Sequence, residues 1–314
     1  MMTSYAAFGG CLQSQIALPE LQEANGAPPD WTVRKGDLCS TEARLLGEEP
    51  VDDGIRVKCY RIPDGIRLAF DDTGTFDITQ QGTDICWTPG DDADDTLVRA
   101  DLLGSVFAVA LHLHGLLCLH GSAVTLDDSA IGFLAPKGTG KSTTAMALCA
   151  AGGALVTDDT LAVHPSTMPT AWPALAAVRL LDDSARRLGR SEGAPRDPKS
   201  GKYRVTSLPD TQVEKRRVPV AAIYELASVT ADPAAPAAQR VRLTGVNAIA
   251  ALLRHHKTGD VLGEADRTSL FMRAADVARH VPVFRLEVAR DFARLSEVVA
   301  QLRSWHTSGT ASAA

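Results

Sequence analysis

Residues 131–144 constrain the fold of this chain more than any other stretch. A short apolar run enters a loop of mostly small residues that ends in Gly140, Lys141 and Ser142, and an alanine-rich helical pattern follows at once. Backbone N–H groups in such a loop can surround phosphate oxygens, and the helix that begins there adds the positive end of its dipole. The pattern therefore predicts a strand, a phosphate-binding loop and a helix.

The loop also predicts which residues bind the phosphates. We expect Lys141 to reach the outer phosphates and Ser142 to hold Mg²⁺. The match to the pattern G-x-x-x-x-G-K-[ST] is incomplete, because Ala135 stands at the first glycine position. An ordinary turn with a solvated lysine is the alternative, and the strand before and the helix after argue against it. The predicted nucleotide-binding residues are Pro136, Lys137, Gly138, Thr139, Gly140, Lys141, Ser142 and Thr143.

Composition limits the class of protein. The chain has 314 residues, of which 45% are hydrophobic and 22% charged, so it can bury one large core or two modest ones. A net charge of −6 argues against a general binder of nucleic acid or anionic membranes. The six cysteines form no C-x-x-C pair, which argues against a zinc site and favours reduced thiols in a cytoplasmic protein. We also find no signal-peptide pattern at the N-terminus.

Residues 102–119 contain no Asp, Glu, Lys or Arg and are long enough to suggest a membrane span. His112, His114 and two glycines interrupt this stretch, however, and it leads straight toward the phosphate loop. We therefore predict a buried helix to about His114 and then a buried strand, with no membrane span.

The first 93 residues are predicted to form a small β-rich domain without an evident site, because short strand patterns alternate with turn signals. Its isolated Trp31, Trp87 and Tyr60 are interpreted as core residues. An Asp-rich linker then precedes a helix that starts near Thr96, where Asp94 or Asp95 could cap. The predicted strands are residues 31–35, 55–62, 66–70, 75–79 and 84–88.

The rest of the chain, residues 94–306, is predicted to be an α/β catalytic domain, followed by a disordered tail at 307–314. A strand at 116–125 carries His120, and a turn at 127–129 returns the chain into the strand before the phosphate loop. By its spacing alone, His120 is interpreted as a core residue whose ring nitrogens have hydrogen-bond partners. The other predicted strands are 154–157, 160–163, 219–228, 240–243 and 283–288, and the later helices are 246–254, 267–279 and 292–305.

The strand predicted at 154–157 ends in Asp158 and Asp159. Acidic residues at the carboxyl end of a strand beside a phosphate loop are where an α/β nucleotide site places its metal ligand or its base. The alternative, a solvated Asp-Asp turn, is disfavoured because the pair ends the next strand after the loop. A basic run lies between residues 196 and 217. It has two interpretations: a solvated face, or a mobile loop that contacts phosphates or an acidic substrate.

Three segments in order resemble the catalytic domain of HPr kinase/phosphorylase and its relatives: residues 120–124, 135–142 and 156–159. The spacing agrees, since Lys141 lies 21 positions after His120 and Asp159 lies 18 after Lys141. The resemblance covers about residues 100–303. At the N-terminus, Phe8-Gly9 and residues 18–21 resemble the opening of HPr-kinase-related proteins that are encoded beside genes for peptide natural products.

This resemblance implies a P-loop, HPr-kinase-like fold and an ATP- and Mg²⁺-dependent serine kinase. By position, Asp159 would be the general base, Lys141 would bind phosphates and Ser142 would ligate the metal. Asp158 would support the metal or the base, and His120 would hydrogen-bond the acidic pair, which changes our interpretation of His120 to a functional residue. Within this group the chain resembles the lasso-peptide tailoring kinases, which phosphorylate a serine at the precursor's C-terminus. Relatives form rings, so a homo-oligomer is compatible with the resemblance.

The chain also departs from the family. Besides Ala135, it lacks the Glu-containing signature that the bifunctional enzymes carry after the acidic pair, so phosphorolysis and HPr itself as the substrate are not expected. Asp182 or Asp183 is the open choice for a second metal ligand. These departures keep a second interpretation open, namely a nucleotide-binding regulatory or peptide-carrier module without phosphoryl transfer. A motor ATPase is disfavoured, because no arginine-finger or sensor pattern is present.

Overall fold

The computed structural model describes most of the chain. The described residues are 1–24, 27–52, 55–175, 177–192, 194–196, 201–206, 208–230, 232, 234–258 and 264–306. The tail predicted at 307–314 lies outside them.

The N-terminal region forms a nine-stranded sheet, in the order β3-β1-β2-β4-β9-β8-β7-β6-β5. All five strands predicted in this region are present, two of them with the predicted bounds. The first hairpin and the long strand β5 were not predicted. The strands are β1 Thr3–Ala7, β2 Gly10–Ser14, β3 Gln22–Glu23, β4 Trp31–Lys35, β5 Arg44–Asp52, β6 Ile55–Ile62, β7 Gly65–Phe70, β8 Gly74–Thr79 and β9 Asp84–Pro89.

A long helix follows the sheet in three parts, α1 Asp95–Asp101, a π-helical turn Leu102–Val106, and α2 Phe107–Leu113. As predicted, the Asp94 carboxylate caps it, accepting the backbone N–H groups of Thr96 and Leu97. In the part of the chain that the structure describes, only Asp95–Leu113 is long and apolar enough to cross a membrane, and 56% of its apolar window is buried inside the protein. The predicted order of elements, a buried helix followed by a strand, is confirmed.

The remaining elements form a mixed α/β arrangement. The second sheet is built from eight strands, while β15 and β16 pair separately. The mixed α/β fold class is confirmed; the division at residues 93 and 94 stays a prediction. The strands are β10 Leu117–Leu126, β11 Ser129–Leu134, β12 Ala154–Thr157, β13 Thr160–His164, β14 Thr170–Trp172, β15 Val178–Leu180, β16 Tyr203–Val205, β17 Val218–Val229, β18 Ala238–Leu243 and β19 Val283–Ala289, and the helices are α3 Lys141–Ala150, α4 Asp182–Arg187, α5 Gly245–Arg254, α6 Glu264–His280 and α7 Leu295–His306.

The second sheet positions the loop that is predicted to bind phosphates. Strand β10 pairs antiparallel with β11, β12 and β13, so the predicted hairpin of β10 and β11 is confirmed. Strand β11 also pairs in parallel with β17, which in turn pairs in parallel with β19. Helix α3 therefore starts at the carboxyl end of a parallel strand, where α/β sheets place their ligands.

An aromatic cluster joins the two sheets. The Trp31 side chain on β4 is fully buried, and its ring lies 5.9 Å from that of Phe8, 6.4 Å from that of Phe107 and 6.1 Å from that of Trp172 on β14. Phe107 belongs to the long helix, so the N-terminal sheet, this helix and the second sheet share one core. The interpretation of Trp31 and Trp87 as core residues is confirmed, whereas Tyr60 is only half-buried.

Candidate functional site

Two glycines shape the loop between β11 and α3, which the sequence predicts to bind phosphates. Gly138 and Gly140 have φ angles of +86° and +106°, a conformation that favours glycine. Among the described residues, nothing lies within 4 Å of where a Cβ would stand at either position, so the requirement for glycine is conformational rather than steric. Ala135 is fully buried in the core beneath the loop and does not have a positive φ. Alanine at this position therefore leaves the curl of the loop intact.

The loop borders a cavity of about 320 Å³. Of the described residues that line it, Lys137, Lys141, Arg179, Lys202 and Lys257 are cationic. Against these five stand three acidic residues, namely Asp101, Asp158 and Asp159. The cavity thus carries an excess of positive charge in a protein whose net charge is −6, which suits an anionic ligand.

Lys141 begins helix α3 and turns back over the loop. Its side chain is 7% exposed, and its Nζ donates to the carbonyl oxygens of Ala135 at 2.5 Å and Pro136 at 3.3 Å. Burial lowers the pKa of Lys141 to about 8, although the nearby charge of Asp158 acts in the opposite direction. The backbone carbonyls hold the ammonium where arriving phosphate oxygens can replace them.

The low pKa of Lys141 predicts that ATP binding weakens as the pH rises through 8. Free protein loses the Lys141 charge above that pH, whereas bound phosphates stabilise the charge and raise its pKa. Linkage then gives a fall in affinity of about fivefold between pH 8 and pH 9, measurable by titration calorimetry. Lys141→Arg is the control, because its guanidinium stays charged over this range. Equal pH dependence of ATP affinity in both proteins would contradict the expected contact between the Lys141 ammonium and the phosphates.

Asp158 contacts the predicted metal-binding hydroxyl directly. The Ser142 Oγ donates to Asp158 Oδ1 at 2.8 Å, and the Ser122 Oγ donates to the same oxygen at 2.5 Å. The backbone N–H of Arg179 donates to the other carboxylate oxygen at 2.9 Å. The structure thus brings together Ser142 and Asp158, the two residues that the sequence assigned to Mg²⁺.

This donor set fits Mg²⁺ carried by a nucleotide. Hard oxygen donors are its preferred ligands, and Mg²⁺ is usually held by one or two carboxylates together with waters and phosphate oxygens. Within the described ranges there is no group of three or more His, Cys, Asp or Glu side chains that could hold a metal. Ser142 and Asp158 would therefore hold the ion only in company with the phosphates.

Asp159 follows with a backbone φ of +88°, which is uncommon for a residue other than glycine. Its carboxylate forms ion pairs with Arg179 and Lys257 and lies 3.3 Å from Nδ1 of His120. Burial alone would raise the pKa of Asp159, but the charges of Lys257 and Arg179, with a hydrogen bond from His120, hold this pKa well below its ordinary value. Strained backbone of this kind concentrates at functional sites.

His120 connects the phosphate loop with the acidic pair. Its Nε2 lies 3.3 Å from the Lys141 Nζ, while its Nδ1 faces Asp159. Since a lysine ammonium can only donate, Nε2 accepts and Nδ1 carries the proton that is donated to Asp159. The ring thus joins Lys141 and Asp159 across one cavity, consistent with the functional interpretation of His120.

Sequence reasoning missed two cations of this site and part of the long helix. Arg179 stood only among charged residues without a pattern, and Lys257 followed a helix with no signal at all. Lys202 belongs to the basic run for which contact with phosphates was one of two interpretations. Besides Asp159, Lys257 Nζ donates to the Thr160 hydroxyl at 2.5 Å. The long helix was assigned only to the core, yet its π-helical turn lines the cavity, and such turns often mark functional sites. The helix residues that line it are Ala100, Asp101, Gly104 and Ser105.

Asp182 and Asp183, the two open choices for a second metal ligand, are not among the described residues that line the cavity. The Asp182 carboxylate pairs with Arg196 at 3.0 Å, and the Asp183 carboxylate pairs with Arg187 at 2.9 Å. Their neighbour Ser184 does reach the cavity and accepts a hydrogen bond from the Thr143 hydroxyl at 3.0 Å.

The basic run between residues 196 and 217 does not form one surface. Only Lys202 of its described members lines the cavity of about 320 Å³. Arg204 pairs with Glu20, Arg216 pairs with Glu214, and the Arg217 guanidinium lies 3.7 Å from the centre of the Trp172 ring.

Comparisons with known proteins add little to this geometry. No protein-family model matches the sequence, and no curated protein matches it. Among solved structures, the chain is similar to the Hpr(Ser) kinase/phosphatase from Coxiella burnetii, at 12% sequence identity and a TM-score of 0.33, over 60% of this chain and 95% of that one. A TM-score of 0.33 supports no statement about the function of this chain.

Proposed function

We propose that this protein is an ATP-dependent kinase that transfers the γ-phosphate to a serine hydroxyl of a peptide or protein. A single observation carries the proposal. Lys141 and Asp159 line one cavity and are joined through His120, so a phosphate-binding cation and a carboxylate face the same space. Phosphoryl transfer needs charge neutralisation and in-line positioning more than covalent chemistry, and this arrangement can supply both.

In the proposed mechanism the backbone N–H groups of the phosphate loop and the N-terminus of α3 hold the triphosphate. Lys141 leaves the carbonyls of Ala135 and Pro136 and binds the outer phosphates. Arg179 and Lys202, which line the same cavity, add positive charge near the transferred group. Mg²⁺, held by Ser142 with Asp158, would supply further charge neutralisation on the phosphates.

Asp159 would orient the acceptor hydroxyl and receive its proton. Its two ion pairs keep it ionised, so it can accept a hydrogen bond from the serine Oγ–H. The same ion pairs make it a weak base. That suits a loose transition state, in which the hydroxyl proton leaves late, after bonding to the transferred phosphorus has begun.

Incubation with γ-labelled ATP, Mg²⁺ and serine-containing peptides tests the proposal. The first acceptors to use are lasso-peptide precursors ending in serine, the acceptor class suggested by the resemblance. Label on peptide serine is the expected result. Peptides with threonine or alanine at that position show whether a serine hydroxyl is required. Retention of all label on ATP, with every acceptor and with nucleotide binding intact, would contradict the kinase.

The second candidate is a nucleotide-binding regulatory or peptide-carrier module without phosphoryl transfer. The ion pairs of Asp159 with Arg179 and Lys257 favour it, because they reduce the basicity of the carboxylate. Binding of ATP and peptide without turnover in the same assay would support this candidate, and turnover would exclude it.

The proposal also includes a cytoplasmic location, no membrane or nucleic-acid partner, and possible assembly into a homo-oligomer.

Replacing Ser142 with alanine is expected to raise the Mg²⁺ concentration for half-maximal activity by about tenfold, because both a metal-binding oxygen and a hydrogen bond to Asp158 are lost. Thr143→Val is the control for the Mg²⁺ dependence alone. Its hydroxyl donates to Ser184 and not to Asp158, so its half-maximal Mg²⁺ concentration should stay close to that of wild type even if nucleotide affinity changes. Steady-state rates over a Mg²⁺ titration measure both variants. A wild-type Mg²⁺ curve for Ser142→Ala would remove the residue from the metal site.

A further inference from the structure

The π-helical turn of the long helix faces the acidic pair across a narrow space. Gly104 and Asp159 both line the cavity of about 320 Å³, and both also line a second cavity of about 80 Å³ beside it. A space of that size holds only a handful of non-hydrogen atoms, since one water-sized group needs roughly 10–15 Å³. The backbone of the turn at Gly104 therefore lies close to Asp159.

Gly104 has no evident role in the packing of the protein. Its φ angle is not positive, so its conformation does not require glycine, and a glycine inside a helix costs stability relative to alanine. Among the described residues, no atom lies within 4 Å of where a Cβ would stand, so steric contact does not require glycine either. The missing side chain leaves bare backbone beside both cavities, an arrangement typical of sites where a ligand approaches the main chain.

Ser105 follows on the same turn and lines the larger cavity. In the part of the chain that the structure describes, four hydroxyl-bearing residues line this cavity, namely Ser105, Ser142, Thr143 and Ser184. The Ser142 hydroxyl donates to Asp158, and the Thr143 hydroxyl donates to that of Ser184. The half-buried Ser105 side chain has no hydrogen-bond partner among the described residues. Of these four hydroxyls, that of Ser105 is therefore the one available to a bound ligand.

Buried neighbours fix the position of Ser105. Leu102 and Val106 are fully buried, and Phe107 is 1% exposed. The backbone N–H of Phe107 donates to the carbonyl oxygen of Leu102, which is the i→i+5 bond of a π-helix, and such turns occur frequently at functional sites. Since the other face of this turn belongs to the core, Ser105 is presented to the cavity of its own chain.

We propose that Ser105 is a phosphate acceptor, and that the enzyme phosphorylates itself there in cis. The Ser105 Oγ bonds to the γ-phosphorus of ATP, the bond from that phosphorus to the bridging oxygen breaks, ADP leaves, and the Oγ proton passes to the Asp159 carboxylate. Ser105, Lys141 and Asp159 line one cavity, so the acceptor and the donor share the same space. This inference rests on the proposed kinase function.

A phosphate on Ser105 changes the charge of the cavity. Five cations and three carboxylates line it among the described residues, which leaves two positive charges in excess. Phosphoserine carries about −1.5 to −2 charges at neutral pH and cancels most of that excess. The phosphorylated protein is therefore expected to bind ATP at least about tenfold more weakly than the unmodified protein, as measured by calorimetry. An unchanged Kd would overturn this inhibitory role.

The inference is tested with the full chain, treated with a phosphatase and repurified, then incubated with γ-labelled ATP and Mg²⁺ without any peptide. The expected result is one phosphoryl group per chain on Ser105, measured by intact mass and by mass spectrometry of proteolytic fragments. Label on Ser105 supports the inference even if no peptide acceptor is found. Label on peptides but not on Ser105 would overturn the inference and leave the kinase intact, whereas label on neither would overturn both.

Three variants locate the acceptor. Ser105→Ala should remove the label, and Ser105→Thr should restore it as phosphothreonine, because threonine keeps a hydroxyl at this position. Ser184→Ala is the matched control, since it removes another hydroxyl from the same cavity on a different helix, and it should still be labelled at Ser105. Equal labelling of wild type and Ser105→Ala would overturn the assignment.

Dilution and mixing test whether transfer stays within one chain. The rate constant for labelling should not change when the protein is diluted. Lys141→Ala protein keeps Ser105 and should stay unlabelled when it is mixed with active protein. Transfer of label to the Lys141→Ala chains, or labelling that slows in proportion to dilution, would overturn the reaction in cis.

Discussion

Asparagine in place of Asp159 is expected to lower kcat for phosphoryl transfer by about 10²-fold, the lower end of what a positioned base contributes, because the ion pairs with Arg179 and Lys257 make Asp159 a weak base. ATP binding should be retained or slightly strengthened, because the variant removes a negative charge from the cavity while leaving Lys141 and the loop in place. Asparagine is the appropriate substitution, since it tolerates the φ of +88° at this position. Single-turnover transfer and calorimetric ATP binding measure the two effects separately.

Asp182→Asn is the matched control for that experiment. Asp182 begins the nearby helix α4 but pairs with Arg196 and is not among the described residues that line the cavity. Its variant should transfer phosphate at close to the wild-type rate. Full activity of Asp159→Asn would remove the carboxylate from the base role, whereas equal losses in both variants would indicate general damage to this side of the protein.

Replacing Lys141 with alanine is expected to lower kcat by about 10²–10³-fold, because an aligned cation that stabilises developing charge on the phosphates is lost. ATP affinity should fall as well, since the lysine also contacts the phosphates of the bound substrate. Its present partners in the free protein are two backbone carbonyls and His120, so the fold does not depend on an ion pair at this position.

Lys137→Ala provides the comparison within the same loop. Lys137 lines the cavity but is exposed, so water screens its charge, and its loss should change ATP affinity by no more than a few fold. Steady-state kinetics with both substrates varied separates the effects on kcat and KM. Similar losses for the two lysines would mean that the loop acts only through its total charge and that Lys141 has no special role.

The part of the site that could be predicted from sequence is the part built from local patterns. The strand, loop and helix at residues 131–144 and the hairpin that carries His120 follow from apolar runs, glycines and turn residues within a few positions of each other. The acidic pair could be placed because it ends the next strand after the loop. These segments bring Lys141, Ser142 and Asp158 together through one sheet and one helix.

The remaining cations come from elements distant in sequence, and no local rule predicts where they meet. Lys257 follows α5 and reaches Asp159 across 98 positions, while Arg179 lies on a short strand that pairs outside the main sheets. Strands β1 and β2 carry small and polar residues, Thr-Ser-Tyr-Ala-Ala and Gly-Cys-Leu-Gln-Ser, which show no clear alternation of apolar and polar side chains. Their pairing, and hence the position of Phe8, depends on tertiary contacts with Trp31 and Phe107.

The shared aromatic cluster limits how this protein can be re-engineered. Since Phe8, Trp31, Phe107 and Trp172 interlock across both sheets, a chimera that exchanges the first 93 residues for those of another protein must match the partner surface on the long helix and on β14. Phe8 itself stands at the tip of the first hairpin, so even a single change there has to repack against Trp31 and Phe107.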